Sequence, residues 1–169
     1  MTEIVIVDVP REDLDALEPL WRALYEHHND VTPHLEQRSR PFELAWRSRR
    51  QTEERWLAAE PDSFVIAAQQ LDRLVGYAFV RIRSGAGFAE SWTVSDPLGE
   101  LATLSVMPEF RGQGIGAALM DALESRLAEM GIADLAIGVI ATNTEAMPFY
   151  ERRGAVPFVT EFIQPVKRA

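Results

Sequence analysis

Apolar and polar positions change period several times along the chain, and each change marks an element. Over residues 2–9 β-branched residues dominate an alternating pattern, which predicts a first strand ended by Pro10. Leu14, Leu17, Trp21 and Leu24 then share one helical face. Pro19 lies inside that pattern, so a kinked helix or two short helices are expected. A further helix is predicted over 42–59, anchored by Trp46, Trp56 and Leu57 and ended by Pro61. Apolar runs over 63–70 and 74–83, joined by Leu71-Asp72-Arg73, predict an antiparallel hairpin. The run 88–94 is a candidate short strand, and Asp96-Pro97-Leu98-Gly99 leads into a strand over 100–107. Ile115, Leu119, Leu123, Leu127 and Met130 recur at helical spacing over 114–130, and Gly131 supplies a left-handed cap. A buried strand over 134–140, a short helix over 144–152 ending at Gly154, and a last strand over 155–164 complete the pattern. The order β-α-α-β-β-β-α-β-α-β predicts an α/β domain with a mixed sheet.

One loop carries chemistry. Arg111-Gly112-Gln113-Gly114-Ile115-Gly116 lies between the run Leu101 to Val106 and the 114–130 helix. Its glycines let backbone N–H groups close on an anion, and the helix that follows adds roughly half a positive charge at its start. The pattern Gly112-x-Gly114-x-x-Ala117, with Asp134 about 20 residues on, also satisfies a dinucleotide-binding fingerprint. Such a loop follows its strand immediately, whereas Met107-Pro108-Glu109-Phe110 intervene here and one further βα pair remains. A Walker loop is excluded because no Gly-Lys-Ser/Thr follows; the chain's lysine is Lys167.

The stretch from Leu104 through Val106-Met107-Pro108 to Arg111-Gly112-Gln113-Gly114-Ile115-Gly116 resembles the GNAT superfamily of N-acetyltransferases. That family's cofactor loop reads Arg/Gln-x-x-Gly-x-Gly/Ala after a strand ending in Val-x-Pro. Asn143-x-x-Ala146-x-x-Phe149-Tyr150-x-x-x-Gly154 is similar to the family's downstream element. The resemblance implies a GNAT-type acyl-CoA N-acyltransferase fold, with a mostly antiparallel central sheet, flanking helices and a parallel splayed pair at the cofactor site. It also implies acetyl-CoA as acyl donor, its pantetheine held by backbone of Leu104, Ser105 and Val106. Arg111, Gly112, Gln113, Gly114, Ile115, Gly116 and Ala117 then hold the pyrophosphate, and Asn143 contacts the pantetheine arm. One departure stands out: Ala155 follows Gly154 where the family usually has Phe.

Composition narrows the picture. A chain of 169 residues with 47% hydrophobic content and no linker-like stretch is read as a single domain over 1–169. There is no cysteine, which excludes disulfides, thiolate metal sites and an enzyme thioester. No basic leader precedes the first apolar run and no run is long enough to span a bilayer, so a cytoplasmic protein without a membrane partner is expected. A net charge of −9 argues against a nucleic-acid partner and favours cationic ones. The stretch 84–110 has no Lys or Arg but holds Glu90, Asp96, Glu100 and Glu109. Arg38, Arg40, Arg47, Arg49, Arg50 and Arg55 crowd 38–55, interleaved with Glu36, Glu43, Glu53 and Glu54, which reads as a solvated helix face laced with i,i+4 pairs, with binding of an anion such as an acceptor carboxylate as the competing role. His27, His28 and His34 lack companions at ligand spacing, so they read as a helix terminus and no metal is proposed.

Acyl transfer to an amine needs a base, a polarised carbonyl and a proton for the leaving thiolate. Glu100 falls where some members of the family place a catalytic Glu, with a strand-edge surface residue as the competing role and Glu90 as an alternative base. Tyr150 matches the family's proton donor to the thiolate; a phenol near pKa ~10 suits that job. Trp21, Trp46 and Trp92 are core by default, or walls of an acceptor pocket if the family layout holds. The expected reaction is direct attack by a primary amine of a small molecule or peptide. A non-catalytic acyl-CoA-binding module is the alternative, and a homodimer stays open.

Overall fold

The computed structural model describes residues 3–88 and 91–166. It divides into two units, Met1–Gly138 and Val139–Ala169. Strand β1 (Ile4–Asp8) is followed by a 3₁₀ segment, Arg11–Leu17, and then helix α1 (Glu18–Val31). Pro19 is the reason for the break. It sits in the first turn of α1, where a missing N–H costs nothing, so the chain makes two helical pieces instead of one kinked helix. After a second 3₁₀ segment, Pro33–Arg38, comes helix α2 (Phe42–Ala59), at the predicted bounds.

Strands β2 (Phe64–Gln70), β3 (Arg73–Arg83), β4 (Leu98–Val106) and β5 (Leu135–Ile137) complete a five-stranded sheet in the order β1-β2-β3-β4-β5. All neighbours are antiparallel except β4 and β5, which run parallel. Helix α3 (Ile115–Glu129) links those two strands. Strand alternation sorts the sheet's faces. Val65, Ala67, Tyr77 and Phe79 pack with Leu14, Leu17 and Leu20, and Trp21, Trp46 and Trp56 lie against that core. The opposite face meets α3: a side chain at Gly76 would press on Ile115 and Leu119, and one at Gly99 on Leu127.

The β3–β4 register pairs Phe79 with Thr103 but Val80 with Leu101, so Ala102 is an extra residue in β4. This bulge has a consequence for alternation. Glu100 and Thr103 are three positions apart, yet through their partners Arg81 and Phe79 both fall on the α1/α2 face.

Two expected strands are absent among the described residues. In the 88–94 run, Ala89 and Glu90 lie outside the described residues, and the Trp92 N–H closes on the Phe88 carbonyl at 3.1 Å, a turn geometry. The second unit contains helix α4 (Ala146–Glu151), shorter than expected, and beyond it residues 155–166 form no strand. Pro157 and Pro165 deny the segment two ladder donors, and no strand lies among the described residues of its unit. No helix among the described residues is long and apolar enough to cross a membrane.

Candidate active site

Strand β4 is paired on both edges only at its beginning. Its ladder with β5 runs from Gly99 opposite Leu135 to Leu101 opposite Ile137 and stops there, while β4 continues to Val106 against β3. The stretch Ala102–Val106 therefore presents one edge without a β5 partner. Its side chains are committed to the fold. Ser105 is buried and its hydroxyl donates to the Leu20 carbonyl of α1 at 2.7 Å. What residues 104–106 offer on this edge is backbone.

Past Val106 the chain makes one 3₁₀ turn, Pro108–Phe110, and enters the glycine loop. Gly112 and Gly114 adopt φ of +72° and +82°, and a Cβ at either would meet nothing within 4 Å. Conformation, not space, demands glycine there. Gly114 is the N-cap of α3 and brings no side-chain cap, and the first helical hydrogen bond runs from the Ala118 N–H to the Gly114 carbonyl at 2.9 Å. The N–H groups of Ile115, Gly116 and Ala117 thus open the helix as anion donors. Ile115 itself is core, with its side chain buried.

Arg111 Nε donates to the Val106 carbonyl at 3.1 Å, and Gln113 Nε2 to the Glu109 carbonyl at 3.1 Å. Both side chains brace the loop against the strand end. The acidic residue beside the loop is neutralised: Arg73 bonds Glu109 at 2.7 Å. The residue's own backbone N–H, and then Arg73, hold the Glu109 carboxyl below its ordinary range.

Glu100 sits at the paired beginning of β4, where Arg83 Nε donates to one carboxylate oxygen and Arg81 Nη1 reaches the other at 3.3 Å. Arg81 also binds Glu60 and stacks 4.4 Å from the Trp56 ring. Each Glu100 oxygen thus accepts one guanidinium bond and keeps a second lone pair, on a side chain that is one quarter exposed. Glu90, the alternative base, lies outside the described residues.

Four residues of the same face form a buried cluster; the sequence reads Arg49 and Glu53 as part of a solvated arginine face and singles out neither Thr103 nor Tyr77. Arg49 and Glu53 of α2 pair at 2.7 Å with side-chain exposures of 15% and 1%. Arg49 Nη2 donates to the Thr103 hydroxyl, which donates to the Ala102 carbonyl at 2.8 Å. Tyr77 is buried beneath them. Desolvation pushes Glu53 up despite Arg49 and Arg50, and burial pushes Tyr77 up strongly. The expectation of a solvated arginine face on α2 is corrected here. The i,i+4 pairs exist, but Arg49–Glu53 points inward, because the Trp46-to-Trp56 stripe that buries the helix passes through those positions. Of the tryptophans, Trp21 and Trp46 stack at 5.6 Å beside Phe42, whereas Trp92 is exposed in the 91–94 segment.

In the second unit, Asn143 is buried and its carboxamide oxygen accepts the Ala146 N–H at 3.3 Å, capping α4 from two residues before the N-cap, Glu145. Tyr150 lies on α4, edge-on to Phe149 at 5.1 Å between ring centroids, and burial pushes its hydroxyl up to about 12.

A family model described as the acetyltransferase (GNAT) family matches residues 21–155. A mycothiol acetyltransferase of Propionibacterium freudenreichii is 29% identical over 143 residues, 85% of this chain and 40% of that protein. A ribosomal protein bS18-alanine N-acetyltransferase of Escherichia coli is 32% identical over 88 residues, 52% of this chain and 59% of that protein. The chain therefore spans well under two thirds of either relative. A PaiA N-acetyltransferase from Thermoplasma acidophilum, solved with coenzyme A, shares the fold at a TM-score of 0.67 and 19% identity, covering 89% of this chain and 88% of that one.

Proposed function

The chain belongs to the acetyltransferase (GNAT) family, and on that premise we propose that it moves the acetyl group of acetyl-CoA to a primary amine by direct attack. The observation that carries this reading is the run of β4 past its parallel partner into the Gly112 and Gly114 turns and the uncapped start of α3. An extended arm pairs with such an edge as an added strand, and a pyrophosphate suits the helix start. Bound acetyl-CoA supplies an activated acyl carbonyl; this chain's residues supply the rest.

Backbone of Leu104, Ser105 and Val106 holds the arm and polarises the carbonyl. Backbone of Gly112, Gly114, Ile115, Gly116 and Ala117, braced by Arg111 and Gln113, holds the pyrophosphate. Asn143 contacts the arm while capping α4. Glu100 takes the amine's proton directly or through water, and Tyr150 returns a proton to the departing thiolate. With no cysteine in the chain, no enzyme thioester intervenes. The coenzyme A held by the T. acidophilum neighbour and the alanine N-acetylation named for the E. coli relative support the donor and the acceptor class.

The test is an acetylation screen over polyamines, aminoglycosides, amino acids and peptide N-termini, read as CoA release, beside melting curves with acetyl-CoA, NAD and ATP. Acetyl-CoA is expected to raise the melting temperature by mass action, and one amine class to release CoA. A rise with NAD and none with acetyl-CoA overturns the reading.

A further inference from the structure

The Arg49–Glu53 pair is an unexpected thing to find under a sheet that already has a sufficient apolar core. Taking two charges out of water costs several kcal/mol per ion by the usual balance, and well-packed apolar replacements are often as stable, so a buried pair is weak evidence of a stabilising device. Here the cost is compounded. Glu53 Oε2 and Arg50 Nη1 face each other at 3.5 Å, an ion pair without a good hydrogen bond, and the buried Tyr77 Oη of the same cluster has no hydrogen-bond partner. Local rules are broken in this way where geometry matters more than stability.

The geometry in question is that of the β4 bulge. Arg49 is fixed by Glu53 on one side and lies over a pair of touching rings, 5.0 Å from Trp56 and 5.8 Å from Phe79. From that position it donates to the Thr103 hydroxyl, whose own proton is thereby turned to the Ala102 carbonyl. Ala102 is the extra residue of the bulge, and it directly follows Leu101, the last β4 residue paired with β5. The chain of contacts ends at the place where β4 parts from its partner and turns its free backbone toward the donor edge.

We infer that Arg49, held by Glu53 and acting through Thr103, is a positioning residue that sets the backbone orientation of the β4 bulge, and with it the alignment of the carbonyl-polarising N–H groups that follow. The inference rests on the proposed acetyl-CoA reading. It predicts a particular separation: the pyrophosphate is held at the glycine loop and the start of α3, away from the bulge, so loss of the Arg49–Thr103 contact removes polarisation far more than affinity. Arg49 and Thr103 also act as one unit, so losing both costs no more than losing either.

The test uses acetyl-CoA labelled with ¹³C at the carbonyl, with infrared difference spectra of the bound thioester and calorimetric Kd. The proteins are wild type, Thr103→Val, Thr103→Ser, Arg49→Met and the Arg49→Met/Thr103→Val double variant. In wild type the bound carbonyl stretch is expected below its value in solution. Thr103→Val and Arg49→Met lose most of that shift while Kd changes by about twofold or less, Thr103→Ser restores it, and the double variant matches the singles. With an acceptor in hand, kcat falls about 10-fold to 10²-fold in the two disruptive variants, a loss on the scale of misplaced reacting groups. A carbonyl shift unchanged in folded Thr103→Val, or losses that simply add in the double variant, overturns the inference and leaves the acetyl-CoA reading intact. Failure of wild type to bind acetyl-CoA overturns the reading itself, and the inference with it.

Discussion

Arg83 and Glu100 meet across the β3–β4 ladder, the guanidinium donating to one carboxylate oxygen while Arg81 takes the other. Each oxygen keeps a second lone pair on a partly exposed side chain, so an acceptor amine or a water reaches the carboxylate beside the two guanidinium groups. Arg83 is the more exposed of the two holders, while Arg81 is also tied to Glu60.

Glu100→Gln is therefore expected to lower kcat/KM by about 10²-fold to 10⁴-fold, the ordinary span for one general base. The loss is deepest at low pH, where the acceptor amine is most protonated. Arg83→Leu removes one holder, keeps the carboxylate, and is expected to retain activity. A pH–rate profile of the three proteins checks this; full activity of Glu100→Gln throughout makes the cluster a structural ion-pair network.

At Gly114 the expected effect is on binding. Its φ of +82° costs an L-residue about 1 to 2 kcal/mol, although the space around it is open. Gly114→Ala should lose about that much stability in urea denaturation while still binding acetyl-CoA weakly. Gly114→Asp adds a carboxylate beside the N–H groups that take the pyrophosphate, so calorimetry should detect no binding. Tight acetyl-CoA binding by Gly114→Asp would move the pyrophosphate away from α3.

Periodicity made most of this fold legible. Helix α2 came out at its true ends because Pro61 closes an apolar stripe, and β4 and α3 came out close to theirs because the glycine loop, reached through one short turn, divides a strand pattern from a helix pattern. The buried cluster escaped for a physical reason. Trp46, Arg49, Glu53 and Trp56 lie at spacings of three, four and three, one inward stripe, but charged residues within a stripe read as solvent-facing when their partners are not known. The partner, Thr103, becomes available only because the bulge at Ala102 shifts β4 by one position, and nothing in a period-2 pattern announces a bulge. The last expected strand failed in the opposite direction, since β-branched residues supply propensity but not a neighbouring strand.

His28 reports on burial of α1. Desolvation, and then the nearby charge of His27, push its pKa from 6.5 down to about 4. A depressed pKa on a base means that the folded state resists protonation. The neutral imidazole's contribution is whole above pH 6.5 and is lost as pH falls toward about 4. His28→Gln cannot be charged, so its melting temperature relative to wild type should rise across that window, by about 2 to 4 °C allowing for the ring's partial exposure. Parallel melting curves from pH 7 to 4 would refute the assignment.

Tyr150 carries the last prediction, because its environment bears on both its chemistry and its stability. Burial raises its hydroxyl from 10.0 to about 12, so the group stays protonated through any pH at which the protein is assayed. A proton donor to a thiolate needs that loaded state, but a thiolate whose conjugate acid lies near ~8.5 is the weaker base of the two, so the transfer runs uphill and needs the phenol in direct hydrogen-bond contact with sulfur. Tyr150→Phe is expected to lower kcat by about 10²-fold with acetyl-CoA Kd unchanged, since the hydroxyl acts only as sulfur departs. The rate profile of wild type should show no loss of this donor below pH 10. Linkage supplies an independent check. A raised folded pKa means stability that is complete below pH 10 and is lost as pH rises toward about 12, and Tyr150→Phe removes that loss. If the variant keeps full kcat yet resists alkaline unfolding better than wild type, Tyr150 is buried as described but is not the proton donor.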